Sequence, residues 1–362
     1  MGADHRPERV AALRERLAAL GLDALVVQAL PNIRYLTGFT GSAALCLVRP
    51  HDVVLVTDFR YAAQAPREVG GAARVEVDQV NVWERLKRVL AEDPPAVAGF
   101  EAHIATVRDH ERLRGMGAWR WEGTSDLVER LRAVKDPDEV AAIRAAAAIA
   151  REAFLEALPA VRVGVTESEI AAALEAALRR RGSEWHPFPT IVASGPRSAL
   201  PHARTGRRAL ARGDWLLLDF GAQVDGYCAD LTRTVVVGAP ADERQRLVYE
   251  VVRQAQRRAL EQVRAGLTGR EADALAREVI AARGFGEAFG HSLGHGLGLE
   301  VHEAPRLSPT AEAPLPAGAV VTIEPGIYLP GWGGVRLEDD VYLGVDGPVL
   351  LSDNQVELVE LV

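Results

Sequence analysis

The chain has 362 residues, 48% of them apolar and 25% charged, with a formal net charge of −8. That length accommodates two domains and a sizeable core, and the acidic balance excludes nucleic acid or an anionic membrane as the main partner, since both select basic patches. No stretch reaches the ~20 apolar residues of a spanning helix, and Cys46 and Cys228 fit neither a disulfide framework nor a CxxC metal site. The opening residues also lack the apolar core of a signal peptide, so a cytoplasmic protein is expected.

From the N-terminus, Val10, Leu13, Leu17 and Leu20 recur at helical spacing, and Gly21 stands where a C-cap belongs. Residues 24–28 (ALVVQ), 44–48 (ALCLV) and 52–58 (DVVLVTD) read as strands, 81–91 (NVWERLKRVLA) as a helix and 96–100 (AVAGF) as another strand. The alternation predicts a small α/β domain over residues 1–130. Asp136 as N-cap, Pro137 at the first helical position and Glu139 closing a capping box then open a second domain, residues 131–362.

The second domain repeats itself. Residues 157–169 (ALPAVRVGVTESE) align with 259–271 (ALEQVRAGLTGRE) at seven positions and a constant offset of 102. Each copy contains a helix, a glycine stop and a Thr…Glu capping box, Thr166/Glu169 and Thr268/Glu271, that starts a second helix. Those second helices end in register at Arg181-Gly182 and Arg283-Gly284. Two copies predict a pseudo-symmetric pair of helix-plus-sheet halves, an α+β fold.

Each half carries acids in apolar surroundings: Asp219 at the end of WLLLD and Asp230 in GYCADLTRT, then Glu324 at the end of VVTIE and Glu338 after GVRL. A buried carboxylate costs several kcal/mol unless a cation or hydrogen-bond donor meets it, and like charges a few ångströms apart cannot all ionise alone. Oxygen-rich ligation by several acids points to divalent metal. Nitrogen donors are at hand in FGHSLGHGLGLEVHE (289–303), with His291, His295 and His302, and His202 precedes the first acidic strand. The glycines at 290, 294, 296 and 298 argue against a regular helix, hence against the HExxH arrangement of zinc proteases. Residues 290–294 match G-x-S-x-G, but no histidine follows His302 to complete a hydrolase triad in the required order.

Together DFGAQVDGYCADLTRT, HSLGHGLGLEVHE, TIEPGIY and GVRLEDDV resemble the peptidase branch of the pita-bread metallopeptidase family, M24. That branch holds prolidases (Xaa-Pro dipeptidases), aminopeptidase P and, more distantly, methionine aminopeptidases. NIRYLTGFTGSAALCLV and VLVTDFRY resemble the N-terminal domain of prolidases and creatinase. The resemblance implies a creatinase-like N-terminal domain followed by a pseudo-two-fold pita-bread catalytic domain. It also implies five ligands, Asp219, Asp230, His295, Glu324 and Glu338, for two divalent ions, manganese first and cobalt or zinc as substitutes. In the same terms, Asp219 and Glu338 clamp both ions and His295 binds one. His202, His291 and His302 match substrate-side histidines, and Arg336 an arginine beside the last ligand.

A metal-bridging hydroxide is the nucleophile that the resemblance implies, with Glu324 moving its proton and His302 and His202 donating to the oxyanion. Substrates would be proline-containing dipeptides or short peptides, whose scissile nitrogen bears no N–H. Arg306, four residues past His302, is the candidate receptor for the substrate carboxylate, which favours a prolidase over an aminopeptidase P. A non-enzymatic binding protein on the same fold is the more distant alternative. The resemblance also implies a homodimer, with residues 35–42 (YLTGFTGS) as the expected contact.

Overall fold

The apolar runs of the N-terminal third become inner strands of one sheet in a computed structural model that describes residues 4–352 and 357–362. These are β1 (Ala24–Val27), β2 (Ala44–Val48) and β3 (Val53–Asp58), followed by β4 (Arg74–Asp78), β5 (Val97–Glu101) and β6 (Arg120–Thr124). Their order is β4-β3-β2-β1-β5-β6. The β1–β2 and β2–β3 pairs are antiparallel and the rest parallel. β1 and β2 are buried along their length, which is why they read as unbroken apolar runs. The edge strands β4 (RVEVD) and β6 (RWEGT) carry too many polar residues to be recognised from periodicity. Three short helices, Leu30–Thr37, Ala65–Val69 and Val107–Arg114, are likewise not legible in the pattern.

The chain divides into two units between Arg132 and Ala133. The second opens with the helix Pro137–Ala157, capped by the reciprocal Asp136/Glu139 bonds. Its inward face is mostly alanine (Ala142, Ala146, Ala147, Ala150, Ala153), so neighbouring backbone can approach closely. The helix Glu167–Arg180 follows, and the pair recurs as Glu243–Gln262 and Gly269–Ala282. Both expected Thr…Glu capping boxes are present, and both second helices end before a left-handed glycine, Gly182 at φ 100° and Gly284 at φ 83°.

The strands of this unit are β7 (Ile191–Ser194), β8 (Trp215–Phe220), β9 (Gln223–Val224), β10 (Tyr227–Cys228) and β11 (Leu231–Val237) in the first half. The second half contributes β12 (Gly294–Gly296), β13 (Glu303–Leu307), β14 (Val320–Ile323), β15 (Gly326–Leu329), β16 (Gly333–Arg336), β17 (Asp339–Gly344) and β18 (Gly347–Leu350), and β19 (Val359–Leu361) returns to the first sheet. One sheet runs β19-β11-β8-β7 and the other β13-β12-β14-β17-β18. Each half has its own apolar core beneath its helix pair, around Phe154, Leu174 and Phe220 in one and Val252, Ile280 and Val321 in the other. Burying each such side chain contributes roughly 1.5–3 kcal/mol.

Candidate metal centre

Register, not sequence proximity, gathers the acids. Asp219 pairs with Thr232 across β8 and β11, and Asp230 lies two residues before Thr232, hence on the same face. In the other half Ile323 pairs with Asp339, so Glu324 just past β14 stands opposite Glu338 just before β17. An isolated bridge between Thr232 and Glu338 joins the halves, and the Thr232 hydroxyl donates to Glu338 Oε2 at 2.6 Å. Ligand atoms of Asp230, His295 and Glu338 lie within 4.8 Å of one another. Glu324 Oε1 is 3.3 Å from His295 Nε2, and Asp219 Oδ2 accepts a hydrogen bond from the Arg336 guanidinium.

His295 sits in β12, the strand formed within the glycine-rich segment. A Cβ on Gly294 would fall 1.9 Å from the Thr322 carbonyl oxygen and one on Gly296 2.1 Å from that of Ala304, so only glycine lets this strand press into its sheet. His295 Nδ1 faces its own strand's Gly296 carbonyl at 3.1 Å, which turns Nε2 towards Asp230 and Glu324. His291 is differently placed: Nδ1 meets the Ser292 carbonyl and Nε2 the Tyr328 hydroxyl, both at 2.8 Å. With Nδ1–H donating, Nε2 accepts from Tyr328, whose oxygen in turn accepts from Arg336 Nη1 at 2.8 Å. A chain from His291 through Tyr328 and Arg336 thus ends on Asp219.

Asp219, Asp230 and Glu338 are buried and Glu324 is half-buried, and their titration reflects it. Burial, then repulsion from Glu338, Asp219 and Glu324, pushes the Asp230 carboxyl well above its ordinary range. Glu338 rises for the same reasons, with Glu324 its strongest neighbour. Burial also raises Asp219, although Arg336 opposes it. Burial raises Glu324 too, but the hydrogen bond and charge of His295 outweigh it and leave its pKa lowered.

Asp230 Oδ1 is buried with no hydrogen-bond partner among the described residues, an orphaned oxygen. Oxygens from four carboxylates and one imidazole nitrogen form a donor set suited to divalent cations such as manganese, cobalt or zinc. The residues present therefore fit a metal site.

These groups line one cavity of about 770 Å3, with Phe188, Pro189, Ile191 and Pro201 as an apolar wall and His202, His302 and Arg306 on its polar side. Arg306 pairs with His295 across β12 and β13. The His302 ring packs edge-on 4.3 Å from that of His295, and partial desolvation, then the nearby His295, lowers its pKa. Every site residue expected from sequence lies in this cavity.

Four contributors escape a reading by motif: Thr232, Tyr328, Arg204 on the cavity wall, and Asp340, whose Oδ2 accepts the Asp230 N–H at 3.2 Å. Tyr328 lies within TIEPGIY and Thr232 within LTRT, yet neither residue type announces a role without the register. Arg336 is bound to Asp219, not to its chain neighbour Glu338.

A helix-paired, pseudo-symmetric unit with a carboxylate-rich centre at the join of its halves defines the class, a metallopeptidase. Residues 141–344 match the model of metallopeptidase family M24 and residues 9–134 that of the creatinase/prolidase N-terminal domain, and the chain belongs to family M24. It is 34% identical to an Xaa-Pro dipeptidase of Pyrococcus horikoshii, with 97% of this chain and 99% of that protein covered. The fold matches that of an Xaa-Pro dipeptidase from Bacillus anthracis with a TM-score of 0.95 at 38% identity, covering 98% of this chain and 100% of the other. An X-Pro aminopeptidase from Thermotoga maritima matches with a TM-score of 0.90 at 40% identity, covering 97% and 99%. No helix of the described residues is long and apolar enough to cross a membrane.

Proposed function

We propose that this peptidase is a prolidase: it hydrolyses Xaa-Pro dipeptides with Asp219, Asp230, His295, Glu324 and Glu338 holding two divalent ions, manganese by preference. The observation that carries the proposal is one cavity in which four acids, three of them buried, and an imidazole converge beside Arg306. When bound, such ions acidify water and polarise a carbonyl, supplying a nucleophile at neutral pH.

The chain's own groups do the rest. Glu324 accepts the proton of the attacking water on its carboxylate and delivers it to the departing proline nitrogen. His202 and His302, both exposed to the cavity, donate to the developing oxyanion, a contribution of about 3 kcal/mol for a good donor. His291, with both ring nitrogens engaged, holds Tyr328 and through it Arg336 and Asp219 in place. Arg306 pairs with the substrate's C-terminal carboxylate, and its planar fork suits a bidentate contact.

Release of the first residue from longer Xaa-Pro peptides is the second reading. The cavity volume, towards the upper end of the ~300–1,000 Å3 usual for ligand pockets, and the similarity to the Thermotoga maritima X-Pro aminopeptidase favour it. The same proposal carries a homodimer and a cytoplasmic location. Purified protein should contain divalent metal by elemental analysis, cleave Ala-Pro faster than Ala-Pro-Ala, and lose that activity on chelation until manganese is restored. Full activity in chelator-treated, metal-free protein would reject the metal-dependent reading.

A further inference from the structure

Three arginines line the cavity, and they differ in how their charge is met. Arg336 is buried and bound to Asp219. Arg306 and Arg204 are exposed, and neither guanidinium meets a hydrogen-bond acceptor or carboxylate among the described residues. An Xaa-Pro dipeptide with a neutral first side chain has one carboxylate, which Arg306 takes in the reading above. One cation is left over.

Its setting differs from that of a loose surface arginine. The Arg204 carbonyl accepts from the Arg197 guanidinium, which is itself anchored at 3.1 Å on the fully buried Glu167 carboxylate. The next residue, Thr205, is fastened to the strand β7 edge, its hydroxyl accepting from Val192 N and donating to the Thr190 carbonyl, each at 2.8 Å. His202 and Arg204 are exposed with buried Ala203 between them, and both line the cavity. The backbone is held while the charged end is left unpaired in a concave, partly apolar site, where a cation attracts anions most strongly.

We propose that Arg204 is a second carboxylate receptor, so that the enzyme selects Xaa-Pro peptides carrying a carboxylate other than that of the proline residue itself, which Arg306 meets. That carboxylate is either an acidic side chain before proline or the C-terminus of a peptide extended beyond proline. The inference rests on the Xaa-Pro reading.

The test compares manganese-loaded wild type with Arg204→Gln and Arg204→Lys. It measures kcat/KM for Glu-Pro against Gln-Pro, and for Ala-Pro-Ala against its C-terminal amide. Calorimetric Kd values for the non-cleavable reduced-bond analogues of Glu-Pro and Gln-Pro provide a second readout. Wild type is expected to favour the carboxylate-bearing member of at least one pair. Arg204→Gln should lower that ratio by at least about fivefold, the size of a partly exposed ion pair, and Arg204→Lys should restore part of it. The pair that responds identifies the source of the carboxylate. Cleavage with both ratios and the Kd ratio unchanged in Arg204→Gln overturns the inference alone, whereas no cleavage of any of these peptides by wild type overturns the Xaa-Pro reading with it.

Discussion

Lys135 is one of only two lysines in the chain, and its ammonium lies 3.2 Å from Glu303 Oε2 with side-chain exposures of 1% and 5%. Glu303 opens β13, directly after His302, and its other oxygen accepts the Glu300 N–H at 2.9 Å. Lys135 N in turn donates to the Gly318 carbonyl at 2.8 Å. Replacing Lys135 by methionine keeps the stem and removes the charge. At an effective dielectric of about 20 the lost attraction is roughly 5 kcal/mol, and removing one partner of a buried pair costs about 3–5 kcal/mol in practice. For a unit of this size each kcal/mol moves the melting temperature by about 2–4 °C, so Lys135→Met should melt on the order of 10 °C lower. The assay is calorimetric melting of wild type, Lys135→Met and Lys135→Met/Glu303→Met at fixed metal concentration. The double variant should recover much of the loss, because no carboxylate is then stranded. A single-variant shift below about 2 °C would refute the reasoning, since it would mean that solvent reaches Glu303.

Arg306→Ala should lower kcat/KM for Ala-Pro by about 30- to 100-fold, the worth of a lost charge-assisted contact, and for Ala-Pro-Ala by far less; equal losses in a steady-state comparison would remove Arg306 as carboxylate receptor. Tyr328→Phe strips His291 Nε2 of its donor and leaves Arg336 Nη1 with only a 3.3 Å contact to the Pro201 carbonyl, so urea unfolding should show a loss of about 1–3 kcal/mol. In the first unit the hydrogen bonds from Arg49 hold the Asp52 carboxyl below its ordinary value, with Nε–Oδ1 and Nη2–Oδ2 both at 2.7 Å. A depressed carboxylate stabilises above its unfolded pKa of about 3.9 and ceases to do so as pH falls through the folded value. The deficit of Asp52→Asn against wild type should therefore shrink as pH falls below about 4, read from urea midpoints at pH 5, 4 and 3.

Local chemistry was written in the sequence wherever neighbours in the chain decide the outcome. Capping boxes at Asp136, Thr166 and Thr268 and the glycine stops at 182 and 284 all stand where residue type and spacing put them, because a cap bonds within its own first turn. The buried strands β1, β2, β8 and β14 were legible as apolar runs, and the offset of 102 exposed the two-fold relation of the halves. Apolar strand context singled out the acids and a glycine-rich segment the histidines, and the family resemblance grouped them as a candidate centre.

Tertiary structure alone decided which of these side chains meet, two of the pairs joining residues more than a hundred positions apart. Thr232 meets Glu338, Arg336 binds Asp219 and not Glu338, and Tyr328 links His291 to that arginine. Those partners follow from strand register, which is set by which apolar faces pack together over two cores, and a one-residue slip would send every one of these side chains to the opposite face. The same holds for Arg204: its residue type is ordinary, and only the pinned loop and the cavity wall give its unpaired charge a place to act.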